Sequence, residues 1–264
     1  MKLDIITKQV ANLSRAVGNI IKGESIKLKS SDIEVKGIHN LVTYVDKQSE
    51  KTIVNELRKI LPEAGFIAEE DSSLKTEEQY NWVIDPLDGT TNFIHGLPPY
   101  SISIALLDKE EPILGVIYEI NLDECFYAWK GSPAFLNGKE IYVSKTDLLD
   151  NSLIATGFPY YDYSKLPQYM ELLSDLMQTT RGVRRLGSAA VDLAYVACGR
   201  FDVFYEYGLN SWDIAAGIII AKQAGATISD FRGANDYLFG REIIASNSKT
   251  HIEFLSKIKH HFPS

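Results

Sequence analysis

Asp85 and Asp88 stand three positions apart where the apolar run Trp82-Val83-Ile84 meets Pro86, Leu87 and Gly89. Pro86 and Gly89 predict a chain that turns between and after the two acids, a shape able to aim both carboxylates and the Leu87 carbonyl at one point. All three donors are oxygens, the set that a hard cation such as magnesium takes. Beyond them Gly89 and Thr90 offer backbone N–H groups under little steric cover, a usual cradle for phosphate oxygens. The plain alternative is an Asp-Gly turn whose acids bond their own backbone, and taken alone the pair favours that reading.

Glu69 and Glu70 form a second acidic pair after the strand-like Phe66-Ile67. Neighbouring strand residues point to opposite faces, so one of the two is expected at any shared site; on its own the pair reads as a solvated loop edge. Asp213, in Asn210-Ser211-Trp212-Asp213-Ile214-Ala215-Ala216-Gly217, falls in the first turn of an apolar helix, where the helix dipole favours an anion. For an isolated Asp, ordinary helix-start chemistry is explanation enough.

The elements that must position these acids follow from periodicity. Ile6, Val10, Leu13, Val17 and Ile21 recur every three or four residues and predict an amphipathic helix over the first twenty. A second helix is expected over 47–61, stopped near Pro62. Short buried strands are expected at 65–68 and 82–84, joined by a polar surface loop over 71–81. Runs at 100–107, 113–118 and 125–129, separated by short polar connections, predict an antiparallel meander. The second half alternates: strand 152–156, helices 166–177 and 188–198, strand 201–205, helix 212–224, strands 226–229 and 243–246, and a closing helix. Such intermixing implies a layered α/β sandwich.

Composition bounds the chemistry. The 264 residues carry 27 Lys and Arg against 35 Asp and Glu, a net charge of −8, which gives no support to nucleic acid or an anionic membrane as main partner. Cys125 and Cys198, far apart, argue against a disulfide framework or thiolate zinc site and fit a reducing cytoplasm. No apolar stretch approaches the length of a membrane span.

Together these residues resemble a known family. Residues 85–93 and 212–217 are similar to the two signature motifs of the inositol monophosphatase family. Asn40-Leu41-Val42-Thr43-Tyr44-Val45-Asp46 resembles its early Leu-Val-Thr-x-x-Asp segment, Arg185-Leu186-Gly187-Ser188-Ala189-Ala190 its central Gly-Ser-Ala stretch, and Gly157-Phe158-Pro159 a bacterial-branch feature. The resemblance covers nearly the whole chain and implies one domain over 1–264, built as a five-layer αβαβα sandwich with halves of about 1–148 and 149–264 and commonly a homodimer. It implies two or three Mg2+ ions: one on Glu69, Asp85 and the Leu87 carbonyl, one on Asp85, Asp88 and Asp213, and a weaker third on Glu69. Asp46 would pair with Thr90 and polarise it, and Glu69 and Thr90 would orient a metal-activated water. Asp88, Gly89, Thr90 and Asp213 would also meet the substrate; Gly187, Ser188 and Ala189 would border its alcohol portion, and Glu206 would accept a hydroxyl. Ala68 departs from the Gly usual before the two glutamates and puts the third metal position in doubt.

The implied reaction is magnesium-dependent, lithium-sensitive hydrolysis of a small polyol or sugar phosphate. Thr91-Asn92-Phe93 after the Asp-Gly-Thr triplet is similar to the branch acting on myo-inositol 1-phosphate. Fructose 1,6-bisphosphate, NADP, 3′-phosphoadenosine 5′-phosphate and histidinol phosphate are the alternative substrates, and a non-catalytic regulator on the same scaffold is the alternative class. An aspartyl-nucleophile phosphatase would need Asp-x-Asp where this chain has Asp-x-x-Asp. Neither a P-loop nor an HExxH segment is present.

Overall fold

The structure, a computed structural model, describes the chain except residues 29–32, 38–39, 72–77, 161 and 264 and the side chains of 35–37, 40 and 41. The first half contains α1 (Leu3–Ser25), β1 (Ile33–Gly37), β2 (Asn40–Thr43), α2 (Tyr44–Ile60), β3 (Gly65–Ala68), β4 (Tyr80–Asp88), α3 (Thr90–Ile94), β5 (Ser101–Asp108), β6 (Glu111–Glu119), β7 (Glu124–Trp129), β8 (Ala134–Leu136) and β9 (Lys139–Ile141). The second contains β10 (Leu153–Thr156), α4 (Leu166–Thr179), β11 (Gly182–Arg184), α5 (Ala189–Ala197), β12 (Val203–Tyr207), α6 (Ser211–Gln223), β13 (Ala226–Ser229), β14 (Glu242–Asn247) and α7 (His251–His261).

Strands β3 to β9 form a seven-stranded sheet in chain order, parallel between β3 and β4 and antiparallel from there on, so the expected meander is present and longer than expected. A five-stranded mixed sheet has the order β11-β10-β12-β14-β13. Side-chain alternation on β4 divides the first core: Trp82 and Ile84 pack beneath α1 and α2, while Val83 faces the opposite way, onto α5 and α6. The far side of α5 and α6 meets Phe204, Ile243 and Ala245 of the second sheet, whose outer face packs Val203 and Tyr205 against α4 and α7. The layers therefore run helix, sheet, helix, sheet, helix. Sandwiched between sheets, α6 is apolar all round instead of along one stripe, and all of Ile214 to Ala221 is buried.

Three expectations shift. Helix α2 starts at Tyr44, before the expected Lys47, because Thr43 caps it: its hydroxyl accepts the Val45 N–H at 3.1 Å while Asp46 accepts the Thr43 N–H at 2.9 Å. Tyr80 and Asn81, expected in the polar loop, belong to β4, and the central part of that loop, 72–77, lies outside the described residues. Strand β12 begins at Val203, after the expected Phe201. Among the described residues no helix is long and apolar enough to cross a membrane.

Candidate active site

A strand places residues i and i+3 on opposite faces, so a regular β4 would separate Asp85 from Asp88. The register shows how they come together: Asp85 pairs with Ser103 of β5 and Asp88 with Ser101, three steps on one strand against two on the other. This bulge, at Pro86 and Leu87, returns Asp88 to the face of Asp85. The expected turn at Pro86 is thus a bulge within a continuing strand. The turn comes only at Gly89, whose φ of +93° and close approach to the Pro99 carbonyl, 3.0 Å from where a Cβ would sit, both require glycine.

The middle helical layer supplies the opposite wall. Ser188 caps α5 and donates its hydroxyl to Asp88 Oδ2 at 2.6 Å; the Ala190 N–H donates to the same oxygen at 2.8 Å. Asp213, third residue of α6, accepts the Asn210 N–H at 2.6 Å in a capping box. From the sheet edge Glu69, just beyond β3, lines the same cleft, while the Glu70 N–H bonds Glu50 at 2.9 Å. The Ala68 methyl packs in the core beneath α2, so it takes no room from the cleft. Glu69, Asp85, Leu87, Asp88, Gly89, Thr90, Gly187, Ser188, Ala189, Glu206 and Asp213 all line this one cleft. Asp46 stands behind it and accepts from Thr90 Oγ1 at 3.0 Å.

Six carboxyl groups line the cleft, with Arg185 as the one cationic side chain among the described residues there. Burial is the main cause that raises each carboxyl, and mutual repulsion adds to it in all but Asp88, where the hydrogen bonds from Ser188 and Ala190 and the Arg185 charge work against the rise. Asp88 rises to about 6 and Asp213 to about 7, the latter helped by the charge of Asp88. Glu69 and Asp85 go well above the usual range, pushed further by Asp213 and by Glu69 respectively. Such a set, with Arg185 as its one cationic neighbour among the described residues of the cleft, is suited to a cation.

The donor set fits a hard divalent ion: oxygen only, from two strands and a helix start, with no basic side chain bridging Glu69, Asp85, Asp88 or Asp213 among the described hydrogen bonds and ion pairs. Among the described residues, no three His, Cys, Asp or Glu side chains form a ready-made metal cage. Asp85 accepts the Leu87 N–H at 2.9 Å, and Asp88 and Asp213 likewise give one oxygen each to backbone N–H groups.

The inositol monophosphatase family model matches residues 2–261. The chain belongs to this family. Its relatives include a protein named Nus factor SuhB from Pseudomonas aeruginosa, 39 % identical over 255 residues, covering 95 % of this chain and 94 % of the relative. An inositol-1-monophosphatase from Mesorhizobium japonicum is 38 % identical over 234 residues, 88 % of each chain. The structure of extragenic suppressor protein suhB from Bartonella henselae superposes with a TM-score of 0.90 at 37 % identity, covering 98 % of this chain and 99 % of that one. These likenesses agree with the αβαβα sandwich of an inositol monophosphatase.

Sequence reasoning missed three residues of this family member's cleft. Asn92 donates through Nδ2 to the Pro99 and Leu186 carbonyls, both at 2.8 Å, and so ties α3 to the segment before α5. Arg185 stacks over Phe158 at 5.3 Å and Tyr160 at 5.9 Å. Asp192, on α5, lines the cleft from the core side. The position of Asp192 in an otherwise apolar helix was the available signal. Ser188, expected to border the substrate's alcohol portion, lines the cleft and donates its hydroxyl to Asp88.

Proposed function

We propose that the chain is a magnesium-dependent phosphatase that releases phosphate from a small monoester, with myo-inositol 1-phosphate as leading substrate. The observation that carries this reading is the gathering of Glu69, Asp85, Asp88 and Asp213 around one cleft with raised, mutually repelling carboxyls. Glu69, Asp85 and the Leu87 carbonyl would hold one cation, Asp85, Asp88 and Asp213 a second, and Glu69 a weaker third. Bound there, divalent cations supply charge neutralisation for the phosphate and a lowered pKa for water.

The side chains do the rest. Thr90 has one hydroxyl proton; given to Asp46, it leaves the Oγ1 lone pairs turned to the attacking water. Asp46 is fixed for this task by two donors from Thr43, N–H at 2.9 Å and O–H at 2.6 Å. Glu69 and Thr90 orient the water that forms the new bond to phosphorus as the bond to the alcohol oxygen breaks; one water proton ends on that leaving oxygen, and the Gly89 and Thr90 N–H groups donate to phosphate oxygens. Phosphoryl transfer needs positioning and charge stabilisation more than a covalent nucleophile, which these groups provide. Glu206, in the same cleft, accepts a hydroxyl of the alcohol portion.

Phosphate release from a panel of esters, compared by kcat/KM, tests the reading. Inositol 1-phosphate should lead, lithium should lower its rate, and Asp88→Asn should lower kcat/KM by more than about 100-fold with the fold retained. Near-wild-type turnover by Asp88→Asn would refute it. A cytoplasmic homodimer, implied by the same resemblance, belongs to this proposal.

A second reading, a partner-binding regulatory role on the same scaffold, is favoured by the name Nus factor SuhB carried by the Pseudomonas relative. The Asp88→Asn chain separates the two, since a regulatory role in cells would survive the loss of turnover.

A further inference from the structure

Asp192 has no evident reason to be where it is. It lies in α5 between Val191 and Leu193, both fully buried, and is itself 1 % exposed. Its Oδ1 has no hydrogen-bond partner, and burial together with the neighbouring Glu206 charge raises its carboxyl well above the usual range. An unpartnered buried carboxyl costs stability, so a chain that carries one at a cleft wall gains something else from it. Arg185 is near enough to act on Asp192 but is engaged by the Phe158 and Tyr160 rings and the Tyr160 hydroxyl.

The neighbouring Glu206 is seated by an equally specific device. A Cβ on Gly157 would lie 2.1–2.2 Å from all three carboxyl atoms of Glu206, so any side chain there would push the Glu206 carboxyl from its present seat. Asp192 and Glu206 therefore form a built pair of buried carboxyl groups lining one stretch of the cleft. Two buried acceptors that line the same cleft and feel each other's charge match a ligand that carries hydrogen-bond donors in adjacent positions. A diol does so without charge, whereas a second phosphate would be repelled.

We infer that Asp192 is a specificity-determining residue that accepts a second hydroxyl beside the one held by Glu206, selecting phosphate esters of polyols with adjacent free hydroxyls. The assignment rests on the phosphatase reading above.

The test compares wild type, Asp192→Leu and Asp192→Asn, with magnesium present, on myo-inositol 1-phosphate and on phenyl phosphate, which has no hydroxyl. For Asp192→Leu the ratio of kcat/KM between the two esters should fall by about tenfold or more, mostly through KM, the size of one lost hydrogen bond. Without substrate its Tm should rise, because a buried unpartnered carboxyl has gone. Asp192→Asn, which keeps one acceptor oxygen, should fall between the two in the ester ratio. An unchanged ratio in Asp192→Leu, or equal losses on both esters with a lowered Tm in both variants, would overturn the assignment and make Asp192 structural. Wild type that hydrolysed phenyl phosphate but not inositol 1-phosphate would overturn this assignment while leaving a phosphatase; turnover of neither would overturn the functional reading and this one with it.

Discussion

Thr90 Oγ1 has two acceptors in reach, Asp46 Oδ1 at 3.0 Å and the Leu87 carbonyl at 2.9 Å, and a single proton to give. The account requires that proton for Asp46 during turnover, so Thr90→Val should lower kcat by about 100-fold while Thr90→Ser retains most of it. Steady-state kinetics on both variants, at equal magnesium, checks this; equal rates for Val and Ser would exclude the hydroxyl. At this scale strand ends and a helix start drew attention to the acids, but each taken alone favoured a plain structural reading, and only the family resemblance joined them into one site. The Thr90–Asp46 pair, 44 positions apart, was reached only through family resemblance. Asn92 and Arg185 were not reached at all, since their partners, Leu186 and the Phe158 and Tyr160 rings, come from distant segments.

The elements hold the site through close approach. A Cβ on Gly115 of β6 would meet the Ala216 carbonyl at 2.6 Å and Ala216 Cα at 2.9 Å, both backbone atoms of α6 that have no rotamer to yield. Gly115→Ala should cost about 1–3 kcal/mol in urea unfolding and, by lifting the helix that carries Asp213, should weaken cation binding as well. Unchanged stability would mean that α6 is free to move from the sheet. Long strands and helices were readable because each carries its own period: α1, α4, α6 and the β5–β7 meander lie within a few residues of expectation. The pieces that were not read, β1–β2, α3, β8, β9 and β11, run to five residues or fewer, too short for a period to declare itself. The Asp85–Asp88 bulge was read as a turn because proline and glycine mark both, and only pairing with β5 distinguishes them.

For the molecule as a whole, the raised carboxyls link stability to pH. The folded chain keeps protons on Asp88 up to about 6 and on Asp213 and Glu50 up to about 7, whereas unfolded carboxylates release them near about 4. Between these limits the folded state binds more protons, so the stability of metal-free protein falls as pH rises from about 4 through about 7. His251, lowered by burial, works the other way, one group against the acid cluster. Thermal unfolding should show a lower Tm at pH 8 than at pH 5 without metal, and added magnesium should raise Tm more at pH 8. A metal-free Tm that climbed with pH would contradict the repelling cluster. The layer order followed from intermixed helices and strands only as far as a sandwich; five layers came from resemblance, because nothing local says which helices lie between sheets.

The most direct measurement is anomalous diffraction from crystals soaked in manganese, which binds oxygen ligands as magnesium does. Anomalous peaks are expected between Asp85, Asp88 and Asp213 and beside Glu69 and the Leu87 carbonyl. Full diffraction with no peak within bonding distance of these carboxylates would contradict this expectation.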